Sequence, residues 1–378
     1  MTEFSKQQAN SNREREQLKE TIQQALSRIM HPEIGDKDIL TLGMVPDINV
    51  EGQLVTLTLA FPFKETPPTA ELPRRVERAV REACPSGISV KLDVRQMTPE
   101  ERSAFSARAQ GREPTTAGRS IRHVLAVMSG KGGVGKSSVA ALLASAIHRR
   151  GERVGVLDAD ITGPSIPRLF GTHSAPHGVE GAIQPPKTKT GIKLISVNLM
   201  LQDENQPVVW RGPLIGRAIQ QFWSDIAWGE LDYLIVDLPP GTSDAALTVM
   251  QSLPVRGVVL VTSPQDLAGM VVRKAANMAK RLGVRLLGLV ENMSYVTCPE
   301  CGQQIEIFGP SRTHETARQS EVAVLGSLPL DPELAIMCDQ GQVEDYRSEA
   351  FEAITDKVLQ LTTEKMGKAE PAPPDAMT

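Results

Sequence analysis

The sequence predicts a doubly wound α/β domain built on a mainly parallel sheet, preceded by a smaller α+β domain. Three observations carry this. Short apolar runs alternate with helical segments in the C-terminal two thirds: HVLAVMS at 123–129, RVGVLDAD at 153–160, DYLIVDLPP at 232–240, RGVVLVTSP at 256–264 and RLLGLVENMS at 285–294. Unbroken apolar runs suit strands covered on both faces, as in a parallel sheet flanked by helices. A glycine-rich stretch separates the first of these strands from a helical run, Val139 to Arg149. The first hundred residues instead alternate at the period of half-buried strands, which marks a separate unit.

Taken in order, Leu18, Ile22, Ala25 and Ile29 share one face of an amphipathic helix that His31-Pro32 ends. Val55, Leu57, Leu59 and Phe61 alternate with Thr56, Thr58 and Ala60 in a strand. A second helix carries Leu72, Val76 and Val80, and Ile88, Val90, Leu92 and Val94 mark another strand. These elements define a small domain over 13–97. Residues 98–120 are polar, without a sustained apolar period, and read as a linker. The α/β domain then occupies 121–365, and the Pro- and Ala-rich residues 366–378 read as a disordered tail.

Composition narrows the function. Hydrophobic residues make up 40% of the 378-residue chain and charged residues 23%, an ordinary globular balance that argues against disorder. A formal charge of -4 offers no global attraction for a phosphate backbone, so nucleic acid is not an expected partner. No apolar stretch approaches the roughly 20 residues that span a bilayer, and the N-terminus lacks a signal-like core, so no membrane partner and a cytoplasmic location are expected. Four cysteines in so long a chain do not make a disulfide framework.

Gly130-Lys131-Gly132-Gly133-Val134-Gly135-Lys136-Ser137-Ser138 satisfies G-x-x-x-x-G-K-[ST] between a strand and a helix. Glycines let backbone N–H groups converge on phosphates at a helix N-terminus, Lys136 neutralises the β and γ phosphates, and the Ser137 hydroxyl can ligate magnesium. ATP and Mg2+ are therefore the expected ligands. Asp158 and Asp160 follow the second strand and Asp237 ends the third, all at the carboxyl ends where α/β sheets bind ligands. Asp237 is the expected second magnesium holder, acting through water. Cys298-Pro299-Glu300-Cys301 is half of a tetrahedral sulfur site, and spacing alone fits iron-sulfur, zinc or redox use. Cys84 and Cys338 read as packed small side chains, and His173 and His177 as loop residues.

Lys131 inside the phosphate loop, together with IVDLPPGTSD at 235–244, resembles the deviant P-loop of MinD-like dimeric ATPases. That resemblance implies that Lys131 reaches the phosphates of an opposite subunit, that Asp160 positions the attacking water and that Asn292 reads adenine. ENMSYVTCPECG at 291–302, with RGP at 211–213, is similar to the Mrp/ApbC family of iron-sulfur cluster carriers, and HPEIGDKDILTLGMV at 31–45 resembles the small iron-sulfur assembly domain often fused to them. Many such domains carry a cysteine after the central strand, where this chain reads FPFKETPPTAEL.

The resemblance implies an ATP-hydrolysing carrier. In it, Cys298 and Cys301 of two chains hold one cluster, of the [4Fe–4S] type, across a homodimer and pass it to apo-proteins, with cluster scaffold proteins as further partners. The competing readings are a MinD/ParA-like positioning ATPase and an ATPase with a dimer-bridging structural zinc. The chain ends in AEPAPPDAMT and not in the basic amphipathic helix of a membrane-positioning relative.

Overall fold

The alternation read between residues 55 and 61 produces the predicted strand, since Val55, Leu57 and Leu59 are buried while Thr56 and Thr58 are partly exposed. A computed structural model describes residues 3–62, 71–109, 111, 121–179, 182–201, 212–241, 244–264, 269–311 and 313–364. The 366–378 tail, the RGP arginine Arg211 and the loop residues Thr242 and Ser243 lie outside the described residues.

The small domain runs α1 (Glu3–Leu26), β1 (Asp47–Glu51), β2 (Leu54–Phe61), α2 (Leu72–Ala83), β3 (Ser89–Gln96) and α3 (Pro99–Ala109). In its three-stranded sheet, β2 pairs antiparallel with β1 and parallel with β3. Ile22, Leu26, Leu57, Leu59, Val76 and Val80 close one core, with Cys84 packed at its margin. Helix α1 ends at Leu26, earlier than His31-Pro32, because Ile29 turns back to hydrogen-bond the Leu26 carbonyl.

The linker expected over 98–120 is corrected for its first half, where Pro99–Ala109 is helical. Thr98 Oγ1 accepts the Glu101 N–H while a Glu101 carboxylate oxygen accepts the Thr98 N–H, a reciprocal capping box with Pro99 opening the helix. Phe105 is buried with the small-domain core. On its other side α3 meets the α/β domain: the Arg102 guanidinium donates to the Leu282 carbonyl, and the Ser106 hydroxyl donates to the Gln251 carbonyl at 2.8 Å. The remainder of the expected linker, 112–120, lies outside the described residues.

The α/β domain continues with β4 (Ile121–Ser129), α4 (Lys136–Arg149), β5 (Val154–Asp158), α5 (Ile166–Leu169), β6 (His177–Val179), β7 (Ala182–Gln184), β8 (Lys193–Ile195), α6 (Gly212–Ser224), β9 (Leu231–Asp237), α7 (Asp244–Ser252), β10 (Val255–Thr262), α8 (Gly269–Arg281), β11 (Arg285–Thr297), β12 (Gln304–Ile305), α9 (Thr313–Gln319), β13 (Val324–Pro329), α10 (Pro332–Asp339) and α11 (Glu349–Thr363). The main sheet has the order β12-β11-β10-β4-β9-β5-β8, with β13 also against β11, and every pairing is parallel except β11 with β12. Each of the five apolar runs is a strand of it. Along β4 the pleat sends Val124, Ala126 and Met128 into one core and Leu125 and Val127 into the other, so the sheet is covered on both faces. The chain leaves central β4 for β5 on one side and later crosses to β10 on the other, which makes the end of β4 a topological switch point. Among the described residues no helix is long and apolar enough to cross a membrane.

Candidate functional site

The loop after β4 turns sharply enough to start α4 because two of its glycines take left-handed backbone angles, φ +80° at Gly133 and +78° at Gly135. Gly135 is the N-cap of α4 and has no side-chain cap, so the first-turn N–H groups of the helix remain directed into the loop. Gly130 and Lys131 are half-buried, Gly132 and Gly133 exposed, and Val134 buried. The Ser129 hydroxyl donates to the Lys131 carbonyl at 2.9 Å, and the Ser129 carbonyl accepts the Gly241 N–H at 2.8 Å, tying the loop to the segment after β9. Sequence reading passed over Ser129, whose only signal is its place as the last residue of the strand.

Lys136 Nζ lies 2.6 Å from Asp237 Oδ1 and 3.2 Å from Ser137 Oγ, and the Ser137 hydroxyl donates to Asp237 Oδ2 at 2.6 Å. Asp237 is fully buried at the end of β9. Burial pushes its carboxyl above the usual range, while Lys136 and the Ser137 hydroxyl pull it back toward the charged form. This donor set suits a hard cation. A hydroxyl has one proton and two lone pairs; with its proton on Asp237 and one lone pair accepting from Lys136 at 3.2 Å, the Ser137 oxygen has its other lone pair for a metal, beside a carboxylate. Ser138, one residue on, hydrogen-bonds the Cys338 thiol, which burial otherwise pushes up, and Cys338 packs in the core behind α4.

Asp158 is also fully buried, and its carboxylate organises the turn after β5. Oδ2 accepts the N–H groups of Ser165 and Ile166 and the Ser196 hydroxyl at 3.1–3.2 Å, and Oδ1 accepts the Asp160 N–H at 3.2 Å. Burial, and then the neighbouring Asp237 charge, raise its pKa to about 8 against the opposing pull of Lys136. Asp160, 8% exposed, accepts the Thr162 hydroxyl at 3.1 Å and the Gly163 N–H at 3.2 Å. Asn292 reaches the back of the phosphate loop, where its amide donates to the Val134 carbonyl at 3.0 Å. The structure thus brings Lys136 and Ser137 onto Asp237, sets Asp158 beside Asp237 in the register of β5 with β9, and sets Asn292 against the loop itself.

Cys298 and Cys301 stand apart from this group, at the tip of a hairpin that extends β11. Val296 pairs with Ile305 and Thr297 with Gln304, and the Cys298 carbonyl accepts the Gly302 N–H at 2.9 Å to close the turn. Cys298 is partly exposed and Cys301 exposed. The backbone N–H groups of Cys301 and then Glu300, with the Cys301 thiol, hydrogen-bond the Cys298 sulfur and hold its pKa below that of an ordinary thiol. The turn therefore shifts Cys298 toward the thiolate, the form that binds metals, relative to an ordinary thiol. Among the described residues no group of three or more His, Cys, Asp or Glu side chains is arranged to hold a metal ion. His173 and His177 are exposed and lie outside both sites.

Comparison with known proteins agrees with both halves of the chain. The profile of the NUBPL iron-transfer P-loop NTPases matches residues 120–362, and that of iron-sulfur cluster assembly proteins matches residues 19–94. The iron-sulfur cluster carrier protein of Mycobacterium leprae is 38% identical over 345 residues, covering 88% of this chain and 89% of that protein. The iron-sulfur cluster carrier protein of Clostridium perfringens is 44% identical over 237 residues, 61% of this chain and 83% of its own length. Among solved structures, a nucleotide-binding protein from Archaeoglobus fulgidus in complex with ADP, in which cobalt was found, superposes with a TM-score of 0.57 at 43% identity, covering 62% of this chain and 93% of the other.

Proposed function

Because the chain belongs to the NUBPL iron-transfer P-loop NTPase family, we propose that it is an ATP-hydrolysing iron-sulfur cluster carrier of the cytoplasm that holds a [4Fe–4S] cluster between two copies of itself and delivers it to apo-proteins. The observation that carries this reading is the Cys298–Cys301 turn. It presents two accessible sulfurs, one of them biased toward thiolate by backbone N–H groups, at the end of the same strand that carries Asn292 to the phosphate loop. Two thiolates are half of a four-ligand site, and a second chain supplies the other half. The names of the similar carrier proteins point the same way.

In this mechanism the N–H groups of Gly130–Ser138 and the Lys136 ammonium hold the triphosphate, with Lys136 exchanging its Asp237 contact for phosphate oxygens. Ser137 and Asp237 are the residues that would hold Mg2+, which when bound neutralises charge developing on the β- and γ-phosphate oxygens. Asp160, set at the start of the turn that Asp158 organises, orients the water that attacks the γ-phosphorus. Lys131 reaches the triphosphate of the opposite chain, so that nucleotide binding favours the two-chain arrangement in which the sulfurs meet.

The test is anaerobic reconstitution with iron and sulfide, followed by incubation with a purified apo-protein that takes a [4Fe–4S] cluster, with and without Mg-ATP. Wild type is expected to restore the acceptor's absorption, and the Cys298→Ala/Cys301→Ala protein is not. Equal transfer by that double variant removes the thiolate assignment, and stoichiometric zinc without sulfide assigns the turn to a structural metal.

A further inference from the structure

Glu291 stands one residue before Asn292, is 1% exposed, and takes no part in the nucleotide or thiolate contacts described above. Its carboxylate nevertheless accepts hydrogen bonds from four hydroxyls. Ser294 at 2.8 Å and Ser327 at 3.3 Å donate to Oε2, and Ser311 at 2.7 Å and Thr313 donate to Oε1. A buried carboxylate is tolerated only when its lone pairs are filled, and four hydroxyls among the described residues do so.

The positions of the donors in the chain give the arrangement its meaning. Ser294 lies on the outgoing strand β11, and Ser311 and Thr313 lie on the chain returning from the cysteine hairpin. Ser327 lies on the neighbouring strand β13. One carboxylate therefore clasps both ends of the lobe 294–311, whose tip is the Cys298–Cys301 turn. The strand bends at the clasp: Met293 has a left-handed φ of +58°, and the register of β11 against β13 shifts between Glu291 and Tyr295. Side chains alternate along a strand, so while Glu291 faces the clasp its neighbour Asn292 faces the phosphate loop and donates to the Val134 carbonyl. From Asn292 to Cys298 the strand covers at most about 20 Å.

We propose that Glu291 is a positioning residue that couples the two sites: it fixes the base of the cysteine lobe to the strand position that touches the phosphate loop, so that nucleotide binding and metal binding at the sulfurs influence each other through β11. This rests on the carrier reading and adds to it the residue through which the coupling runs. By reciprocity, metal loading changes nucleotide affinity by the same factor that nucleotide changes metal affinity.

The experiment measures the Kd of a non-hydrolysable ATP analogue with Mg2+ for the full chain, metal-free and after anaerobic loading with iron and sulfide. In wild type the two values are expected to differ by about fivefold or more. In Glu291→Gln, and in Thr313→Val, which removes one donor while keeping the β-branched shape, the ratio is expected to approach one. The ratio is taken within each variant, so general destabilisation cancels. A second readout needs no metal: amide exchange across 294–311 is expected to accelerate in Glu291→Gln while that of β4 does not. A ratio unchanged from wild type in both variants overturns the assignment, whatever the exchange shows. A wild-type ratio of one instead removes the coupling itself from the carrier reading, and this inference with it.

Discussion

Replacing Gly135 with alanine tests the phosphate loop at its most constrained point. A Cβ built at Gly135 would stand 2.2 Å from Asn292 Nδ2, in a backbone with φ +78°. Two costs follow. A left-handed conformation costs an L-residue about 1–2 kcal/mol. The collision also forces the Asn292 amide away from the Val134 carbonyl, which it meets at 3.0 Å. Losing that bond and leaving buried polar groups unpaired costs about 1–3 kcal/mol. A benefit of about 0.5–1 kcal/mol arises because alanine restricts the unfolded chain. The net expectation is a destabilisation of about 1–4.5 kcal/mol. All three tryptophans, Trp210, Trp223 and Trp228, lie within 121–365, so tryptophan fluorescence in a urea titration reports on the α/β domain without the small one. Because the collision partner is a side chain, its share should vanish in an Asn292→Ala background, leaving a coupling of about 1–3 kcal/mol between the two substitutions. Additive costs, or a Gly135→Ala protein within about 0.5 kcal/mol of wild type, would refute the contact between loop and strand.

Titration calorimetry should separate the two loop lysines: Lys136→Ala is expected to lose ATP binding altogether, and Lys131→Ala to keep it while losing hydrolysis. Normal turnover by Lys131→Ala would exclude its action on the opposite chain. Asp160→Ala should likewise bind ATP but turn it over at least ~100-fold more slowly, the scale of a lost general base or water-orienting group. Because backbone N–H groups of Cys301 and Glu300 lower the Cys298 pKa, its thiolate is present at lower pH. Iodoacetamide labelling of Cys298 in a Cys301→Ala background, which keeps those N–H groups, should therefore have a rate midpoint below the ordinary thiol value of 9.0, and a midpoint at or above 9.0 contradicts the turn geometry.

Elements whose burial is set by their own side-chain period were legible in the sequence. The five apolar runs became β4, β5, β9, β10 and β11 because strands buried on both faces need unbroken apolar residues. Lys193–Ile195 is only three residues long, and Val324–Pro329 contains glycine, serine and proline, so neither showed a pattern, and both are strands only because the neighbouring strand offers a partner. Helix α3 hid for a different reason. Its apolar side comprises little more than Phe105 and alanines, and its docking to the α/β domain is polar, through Arg102 and Ser106. The Thr98–Glu101 capping box and Pro99 are the start signal that the linker reading passed over.

Within the site, the phosphate loop and the strand-end aspartates could be read because their chemistry demands residue types at fixed spacing. Asp237 meets Lys136 and Ser137 from a strand 100 residues away, and only the parallel register of β4 with β9 brings them together. The Glu291 clasp could not be read. Its donors, Ser294, Ser311, Thr313 and Ser327, are scattered over 34 positions and carry no motif.

The central claim is that two chains share one cluster through Cys298 and Cys301, and its most direct measurement is native mass spectrometry of the anaerobically reconstituted protein with iron and sulfide counted on the same sample. A two-chain species carrying about four iron and four sulfide is expected. That species should be lost in Cys298→Ala and in Cys301→Ala and retained in Cys84→Ala and Cys338→Ala. Iron and sulfide bound to a single-chain species, or undiminished in both Cys298→Ala and Cys301→Ala, would contradict it.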